Sequence, residues 1–293
     1  MSNSDLIKCF SLLLLSIYSF TGFAQTVPSS EIYHQLLQLH ETKRVLYVAA
    51  HPDDENTQLI AALRNGEHAQ VAYLSLTRGD GGQNLLGKEL GIELGQIRTQ
   101  ELLRARETDG GRQFFTRALD FGYSKNPDET LQNWDKQKVL SDVVWVVRKF
   151  RPDIIITRFN TIPGGNHGHH TTSAILAEEA FDLAADPNAF PEQLKYVETW
   201  QPRRMFWNSY NFGGEFKAIE TEKYALIPVG EFNSLLGVTY SEIAANSRTM
   251  HKSQGFGATP RIGASDDHLQ FIKGDFFETS AFEGVADRWL ELE

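Results

Sequence analysis

Cysteine is almost absent from the chain. Its 293 residues contain one cysteine, Cys9, which lies in an apolar N-terminal segment. Beyond that segment there is no thiol, so a disulfide scaffold, a cysteine nucleophile and a thiolate metal site are excluded there. A metal ion would have to be held by nitrogen and oxygen atoms.

Positive charge is also scarce. The chain has 28 lysines and arginines against 38 acidic residues, a formal net charge of -10, and no predicted element carries a basic cluster. Such a surface repels phosphate backbones, so we expect no nucleic-acid partner. Linkers, repeats and low-complexity tracts are lacking too. This favours one domain over residues 25–293, with residues from about 195 to 293 as an extension of it.

The first 24 residues have the pattern of a secretory signal peptide. Lys8 precedes an apolar run over residues 10–20, and small residues lead up to Ala24. The alternative is a membrane anchor, but the apolar run is short for a bilayer span. We predict cleavage after Ala24, export to the periplasm or the medium, and no membrane span in the mature chain. Cys9 lies before the apolar core, whereas a lipid-modified cysteine would follow it.

The densest group of polar side chains follows a predicted buried strand. Residues 44–49 are apolar after Arg44, as in a central parallel strand, and residues 50–55 read Ala-His-Pro-Asp-Asp-Glu. The three acids are predicted to supply the cap and the first turn of a helix that runs to about Arg64, and the alternative interpretation is that capping is all they do. That alternative leaves His51 and the surplus charge unexplained. An imidazole and carboxylates are the groups that hold a divalent metal and activate water.

Two further predicted strands also end in unusual loops. Residues 71–76 lead to a glycine-rich loop at 77–82, and residues 153–157 lead through a loop at 160–166 to His-Gly-His-His at 167–170. Carboxyl ends of parallel strands meet at one edge of a sheet, so the three loops are predicted to converge. The sequence therefore predicts an α/β fold with a mostly parallel sheet and helices on both faces.

The remaining elements are predicted from helical spacing and short apolar runs. Helices are expected over residues 94–108 and 136–150, and from near Gly168 to about Ala184. Past Pro191 the pattern weakens. A strand at 205–207 and a helix over 241–252 are predicted there without a place in the sheet.

Two of the clustered histidines point to a metal site. His167 and His170 are three residues apart, so they face the same way if a helix begins near Gly168. The alternative is a solvated loop, or a helix start with a single core imidazole. Together, this loop and the segment 50–55 supply the set His, Asp, His that Zn²⁺ takes in catalytic sites, with one position open for water. Fe²⁺ or manganese would accept the same ligands.

These positions resemble the PIG-L or LmbE family of metal-dependent sugar de-N-acetylases. The resemblance covers roughly residues 43–185 and rests on the segment 50–55, the loop 77–82, Arg98 with Glu101, and His167 with His170. It implies a Rossmann-like fold. It also implies removal of acetyl groups from N-acetylglucosamine units attached to lipid inositol, thiol cofactor precursors, antibiotics or oligosaccharides.

The resemblance also implies roles for individual residues. The implied Zn²⁺ ligands are His51, Asp54 and His170. The implied catalytic groups are Asp53 as general base and His167 as the group that stabilises the oxyanion.

Three further residues have two interpretations each. Arg98 matches an arginine near the family's substrate, but it could pair with an acid on its own helix. Asp80 is a candidate substrate contact, or it caps a turn. His251 is interpreted as favouring the dipole of the helix that ends near it, and the alternative is a substrate contact.

The chain also departs from the family pattern. His169 stands where the family usually has aspartate, residues 56–60 replace a small, glycine-rich stretch, and no tyrosine lies just before His167. We expect a zinc-dependent hydrolase acting on an N-acetyl amino sugar, as a small molecule or an oligosaccharide. The alternatives are an amidase or phosphoesterase, and a sugar-binding protein without catalysis. A nicotinamide enzyme is set aside because acids stand where a pyrophosphate needs glycines.

Overall fold

The computed structural model describes residues 27–164, 167–210, 218–255 and 257–289. The segment 1–24, with its predicted signal peptide, lies outside these residues. In chain order the main elements are α1 (Ser29–His40), β1 (Arg44–Ala49), α2 (Thr57–Asn65), β2 (Gln70–Ser75), α3 (Ile92–Asp109), β3 (Arg112–Phe115), α4 (Pro127–Asn133), α5 (Lys136–Phe150), β4 (Ile154–Thr157), α6 (Gly168–Leu183), β5 (Arg204–Ser209), β6 (Tyr224–Pro228), β7 (Phe232–Asn233), β8 (Val238–Thr239), α7 (Tyr240–Arg248) and β9 (Asp266–Gly274). Short 3₁₀ helices lie at Pro191–Lys195 and Lys252–Gln254.

A seven-stranded sheet forms the centre, in the order β3-β2-β1-β4-β5-β9-β6. The first five strands are parallel, with β1 between β2 and β4. Strand β9 runs antiparallel to both β5 and β6. The mostly parallel α/β sheet predicted from the sequence is confirmed, and the strand predicted at 205–207 extends it as β5.

Helices cover both faces of this sheet. Successive side chains of β1 point to opposite faces, so Val45 and Tyr47 join one apolar cluster while Leu46 and Val48 join the other. The first cluster includes residues of α2 and α7, and the second includes residues of α5 and α6. Strand β1 reads as a continuous apolar run because both of its faces are buried.

The acids after β1 do not begin a helix, which corrects the predicted start of that element. Helix α2 begins at Thr57, and its N-cap is Asn56, whose side chain accepts hydrogen bonds from the N–H groups of Gln58 and Leu59 at 3.2 and 3.1 Å. Because Asn56 caps the helix, the three acids at 53–55 are left in the turn between strand and helix. Their side chains are available for other contacts.

Within the described ranges, every helix is too short or too polar to cross a membrane.

Candidate active site

A cleft of about 490 Å³ opens at the carboxyl edge of the parallel strands. The three loops predicted to converge all contribute to it. Residues from the loop after β3 and from the segment after α7 complete it. The lining residues are His51, Asp53, Asp54, Gly81, Gly82, Gln83, Arg98, Asp120, Gly122, Tyr123, His167, His170 and Gln254.

Three of the lining residues could hold a metal ion. His51, Asp54 and His170 each offer a ligand atom, and these atoms lie within 4.8 Å of one another. Asp54 lies between the two imidazoles, with one oxygen 3.1 Å from His51 Nδ1 and the other 3.4 Å from His170 Nε2. Two imidazoles and one carboxylate suit Zn²⁺ and other divalent cations, so this donor set fits the metal that the sequence implies.

Asp54 is held in its ionised form. Burial raises its pKa, but the charges and hydrogen bonds of His170 and His51 outweigh burial, and the pKa lies well below its usual value. For His51, burial lowers the pKa. The hydrogen bond and the negative charge of Asp54 outweigh burial, so the pKa of His51 is raised overall. The pair thus keeps an anionic ligand beside an imidazole in a buried place.

The surroundings fix the orientation of these side chains. Asp54 accepts a hydrogen bond from the His51 backbone N–H at 2.8 Å, and the Tyr73 hydroxyl donates to the His51 carbonyl at 2.5 Å. The ring of Phe159 lies flat against His170, with centroids 3.9 Å apart and planes 3° from parallel. The candidate ligands are therefore preorganised by backbone and packing contacts.

His169 contacts the other nitrogen of His51. Its Nδ1 is 3.0 Å from His51 Nε2, and its buried ring stacks on Trp134 with centroids 4.7 Å apart. Burial, followed by the charges of His51 and His167, lowers the pKa of His169 to about 2, so it stays neutral and can accept a hydrogen bond from His51. Such a partner orients a metal-binding histidine.

A second group of three nitrogen ligands exists beside the first. His51, His167 and His169 also have ligand atoms within 4.8 Å of one another. The set with Asp54 is the better metal site because it brings an anionic oxygen. In that arrangement the short contact between His51 and His169 serves as a hydrogen bond between neighbours.

Asp53 lies beside the candidate metal ligands. One of its carboxylate oxygens accepts a hydrogen bond from Arg98 Nη2 at 2.9 Å, and its side chain is 20% exposed. Burial raises the pKa of Asp53, the charge of Arg98 opposes this, and the net direction is upward. A raised pKa suits a general base, because the carboxylate then holds a proton more readily.

His167 presents an N–H group to the cleft. As the N-cap of α6, it accepts the backbone N–H of His169 at its Nδ1, 3.1 Å away, so its proton is assigned to Nε2. Burial and then the charges of His51 and His170 lower the pKa of His167 to about 4. Near neutral pH it is therefore an uncharged hydrogen-bond donor.

The two candidate substrate contacts are placed differently. Arg98 lines the cleft, but it is buried, and it donates to Asp53 and to the carbonyls of Pro52 and Gly79. The carboxylate of Asp80 packs against α3, where a Cβ on Gly95 would come within 2.2 Å of it. Asp80 is not among the cleft-lining residues, so the structure does not bring it to the other site residues.

The cleft also contains Asp120, Tyr123 and Gln254, which were not predicted from the sequence. Asp120 follows the short strand β3, and its carboxylate lies 3.6 Å from His169 Nδ1 and 3.9 Å from His51 Nε2. Recognising β3 would have placed its loop at the same sheet edge. No residue pattern marks Gln254, since it reaches the cleft from a late part of the chain.

His251 has a contact that its position in the sequence did not indicate. It follows α7, and its backbone N–H donates to the carbonyl of Arg248, the last residue of that helix, at 3.2 Å. Its fully buried side chain reaches the 50–55 segment, with Nε2 2.6 Å from an oxygen of Glu55.

Residues 46–181 match the family model described as PIG-L, GlcNAc-PI de-N-acetylase. The chain is 32% identical over 183 residues to a 1D-myo-inositol 2-acetamido-2-deoxy-alpha-D-glucopyranoside deacetylase of Geodermatophilus obscurus, covering 57% of this chain and 61% of that protein. It is 29% identical over 178 residues to a mycothiol S-conjugate amidase of Streptomyces coelicolor, covering 56% and 60%. The chain thus spans about three fifths of the length of these curated relatives.

Among solved structures, the chain is similar to an N,N'-diacetylchitobiose deacetylase from Pyrococcus horikoshii. The TM-score is 0.55 with 16% sequence identity, over 90% of this chain and 100% of that one. At this identity the likeness shows a shared fold.

Proposed function

We propose that the chain, whose residues 46–181 match the PIG-L family model, is a member of that family and a metal-dependent hydrolase that removes the acetyl group from an N-acetylated amino sugar of the N-acetylglucosamine type. One observation carries the proposal. The cleft brings His51, Asp54 and His170 together beside a carboxylate, Asp53, and an uncharged imidazole, His167.

His51, Asp54 and His170 would hold the cation, and Zn²⁺ is the proposed metal, with Fe²⁺ as another that these ligands accept. When bound, the cation supplies Lewis acidity, which acidifies water and polarises an amide carbonyl. The donor set supports this because it combines nitrogen and oxygen ligands without a thiolate.

The protein's own groups account for the proton transfers. Asp53 takes a proton from the attacking water while the water oxygen bonds to the acetamide carbon. The Nε2–H of His167 donates to the developing oxyanion, an effect worth about 3 kcal/mol in comparable sites. As the C–N bond breaks, the proton held by Asp53 passes to the nitrogen. The products are acetate and a free amine.

Two further points are part of the proposal. The substrate is proposed to be a small N-acetyl amino sugar or an N-acetylated oligosaccharide, because the chain is similar to deacetylases of such compounds. Export is proposed from the sequence of residues 1–24 alone. Mass spectrometry of the mature protein from cell fractions would test export, with Gln25 as the expected first residue.

The test of function uses the full mature chain loaded with Zn²⁺. It is incubated separately with N-acetylglucosamine, N,N'-diacetylchitobiose, an N-acetylated dipeptide and p-nitrophenyl phosphate. Acetate from the sugars supports the proposal. Cleavage of the peptide amide alone favours the amidase that similarity to the mycothiol S-conjugate amidase suggests. Phosphate release alone, or sugar binding without turnover, would overturn the proposal.

Asp53→Asn is the matched control for this assay. The amide keeps the size of the side chain but cannot take a proton, so turnover should fall by about 10²–10⁴-fold. Metal content should stay near that of the unaltered protein, because Asp53 is outside the proposed ligand set. Undiminished acetate release by this variant would contradict the assignment of Asp53 as base.

A further inference from the structure

The backbone of Asp53 has a conformation that residues other than glycine rarely adopt. Its φ is +90°. Among the described residues other than glycine, His68, Arg151 and Phe190 also have a positive φ, but a smaller one. Such a conformation persists when surrounding contacts hold it in place. The contacts on the two sides of Asp53 are therefore informative.

The N–H group of Asp53 is held through Glu55. It donates to one oxygen of the Glu55 carboxylate at 2.8 Å. The other oxygen accepts from His251 Nε2 at 2.6 Å and from Arg106 Nη2 at 3.4 Å. The side chains of Glu55 and His251 are both fully buried. The hydrogen bonds leave the carboxylate of Glu55 no freedom to turn away from Asp53.

The carbonyl group of Asp53 is held by Arg248, a residue close in sequence to His251. The guanidinium of Arg248 donates a hydrogen bond to this oxygen. Arg248 is the last residue of α7, which starts with a capping box between Thr239 and Glu242 and packs against α2 and α3. The anchor is thus a capped, packed helix.

Both anchoring residues lie beyond the part of the chain that matches the family model. That match ends at residue 181, whereas Arg248 and His251 follow by more than sixty positions. The C-terminal part of the chain therefore reaches back to the turn after β1. We propose that Arg248 and His251 are positioning residues that hold the main chain of Asp53 so that its carboxylate faces the cleft. This inference rests on the proposed function.

A purely structural role of Arg248 and His251 can be distinguished from a positioning role by comparing stability with turnover. If these contacts only stabilised the fold, their loss would lower stability and leave turnover by the folded protein unchanged. If they position Asp53, their loss should lower kcat while KM and metal content stay constant. Misplacement of a reacting group by about 1 Å can cost about 10²-fold in rate.

The chain offers a matched control in Arg204. It is 2% exposed, and its guanidinium donates to the backbone carbonyls of Asp275, Phe276 and Ala281, away from Asp53. Arg248→Met and Arg204→Met therefore remove the same kind of interaction, with only the first touching Asp53. Arg248→Lys keeps one donor and a positive charge. His251→Gln keeps a donor toward Glu55, whereas His251→Leu does not.

The experiment measures kcat, KM, bound metal and melting temperature for these variants, at a temperature where each is folded. We expect Arg248→Met and His251→Leu to lose about 10²-fold in kcat. Arg248→Lys and His251→Gln should recover part of it. Arg204→Met should melt earlier but keep its kcat. Equal kcat in Arg248→Met and in the unaltered protein would overturn the inference while leaving the proposed function intact.

Amide hydrogen exchange distinguishes failure of this inference from failure of the proposed function. The Asp53 amide should exchange slowly in the unaltered protein and faster in His251→Leu, whether or not acetate is released. Protection lost without a drop in kcat would show an anchor without a catalytic consequence, and this would overturn the inference. Absence of acetate release by the unaltered protein would overturn the proposed function and the inference together.

Discussion

His51 uses both of its ring nitrogens. Nδ1 faces Asp54 at 3.1 Å, and Nε2 faces His169 at 3.0 Å. With His169 neutral, the hydrogen bond from His51 has an uncharged acceptor where the family usually places a carboxylate. His51, a proposed metal ligand, thus has an orienting contact whose acceptor is a neutral imidazole.

We predict that His169→Ala weakens metal binding. Removing the acceptor leaves His51 without its orienting partner, and such losses cost about 10–100-fold in metal affinity. Zn²⁺ affinity would be measured by competition with a chromophoric chelator. His169→Asn, which keeps an acceptor, should bind more tightly than His169→Ala. His40→Ala, at an exposed histidine, is the control, and an affinity for His169→Ala equal to that of the control would contradict the prediction.

We predict that Glu55 makes the free energy of unfolding fall as the pH is lowered through the acidic range. Burial raises its pKa, but His251 and Arg106 outweigh this and lower it from 4.5 to about 2. Because the folded-state pKa is depressed, the stabilisation is complete above pH 4.5 and is lost as pH falls toward 2. Glu55→Gln should therefore be less stable at pH 7, with the difference shrinking across that window.

Urea unfolding of both proteins from pH 7 to pH 2 measures this difference. Glu222→Gln, at an exposed glutamate, should change stability little at pH 7. A constant difference between Glu55→Gln and the unaltered protein at every pH would refute the assignment of the charge to Glu55.

Site residues could be predicted from the sequence where several metal-binding side chains lie close together in the chain. His51, Asp54, His167 and His170 were recognised because several metal-binding groups follow a strand or begin a helix. Asp120 was missed because it is a lone acid after a strand of four residues that is not fully buried. The contacts of Glu55 with His251 span almost two hundred positions, and no local pattern encodes them.

At the scale of elements, Arg148 on α5 connects this helix to the chain that follows α6. It is 1% exposed, and its guanidinium donates to backbone and amide oxygens. The acceptors are the carbonyls of Leu183, Ala184, Asp186, Ala189 and Phe190, and the side chain of Gln193. One side chain thus hydrogen-bonds to the carbonyl of the last residue of α6 and to carbonyls of the segment that follows it.

We predict that Arg148→Met destabilises the fold by about 3 kcal/mol, since several buried carbonyls would lose their hydrogen bonds at once. Urea unfolding measures the change. Arg117→Met is the control, because Arg117 is largely exposed and its pairing with Asp142 should be worth about 0–1 kcal/mol. Equal effects of the two substitutions would rule out the connecting role of Arg148.

Elements were predictable where burial leaves a simple pattern. The boundaries of β1 and α5 agree with the sequence analysis because continuous apolar runs and helical spacing define them. Strands β6 and β9 were missed because both have alternating or partial burial at the far side of the sheet. Their place beside β5 depends on pairing between distant segments, which the sequence pattern does not specify.

At the scale of the whole molecule, the candidate metal ligands come from distant parts of the chain. His51 and Asp54 follow β1, while His170 lies in the first turn of α6, more than a hundred residues later. Only the folded chain brings them within 4.8 Å of one another. A cation at this site should therefore stabilise the folded state against unfolding.

We predict that Zn²⁺ raises the melting temperature. Free metal at 100 times its Kd stabilises the folded state by about 2.7 kcal/mol, which corresponds to about 4–5 °C for a chain of this size. Calorimetry with and without Zn²⁺ measures the shift. Asp54→Asn should largely lose it, whereas Asp287→Asn, at an exposed acid, should keep it. An unchanged shift in Asp54→Asn would exclude Asp54 as a ligand.

At position 53, the residue that would be best for stability differs from the residue that the proposed reaction needs. A glycine would adopt a φ of +90° without steric cost, so folding alone favours glycine there. The proposed reaction instead needs a carboxylate, and the protein accepts strain of about 1–3 kcal/mol to present it. A search for more stable variants would therefore select against activity at residue 53 before it affected the rest of the fold.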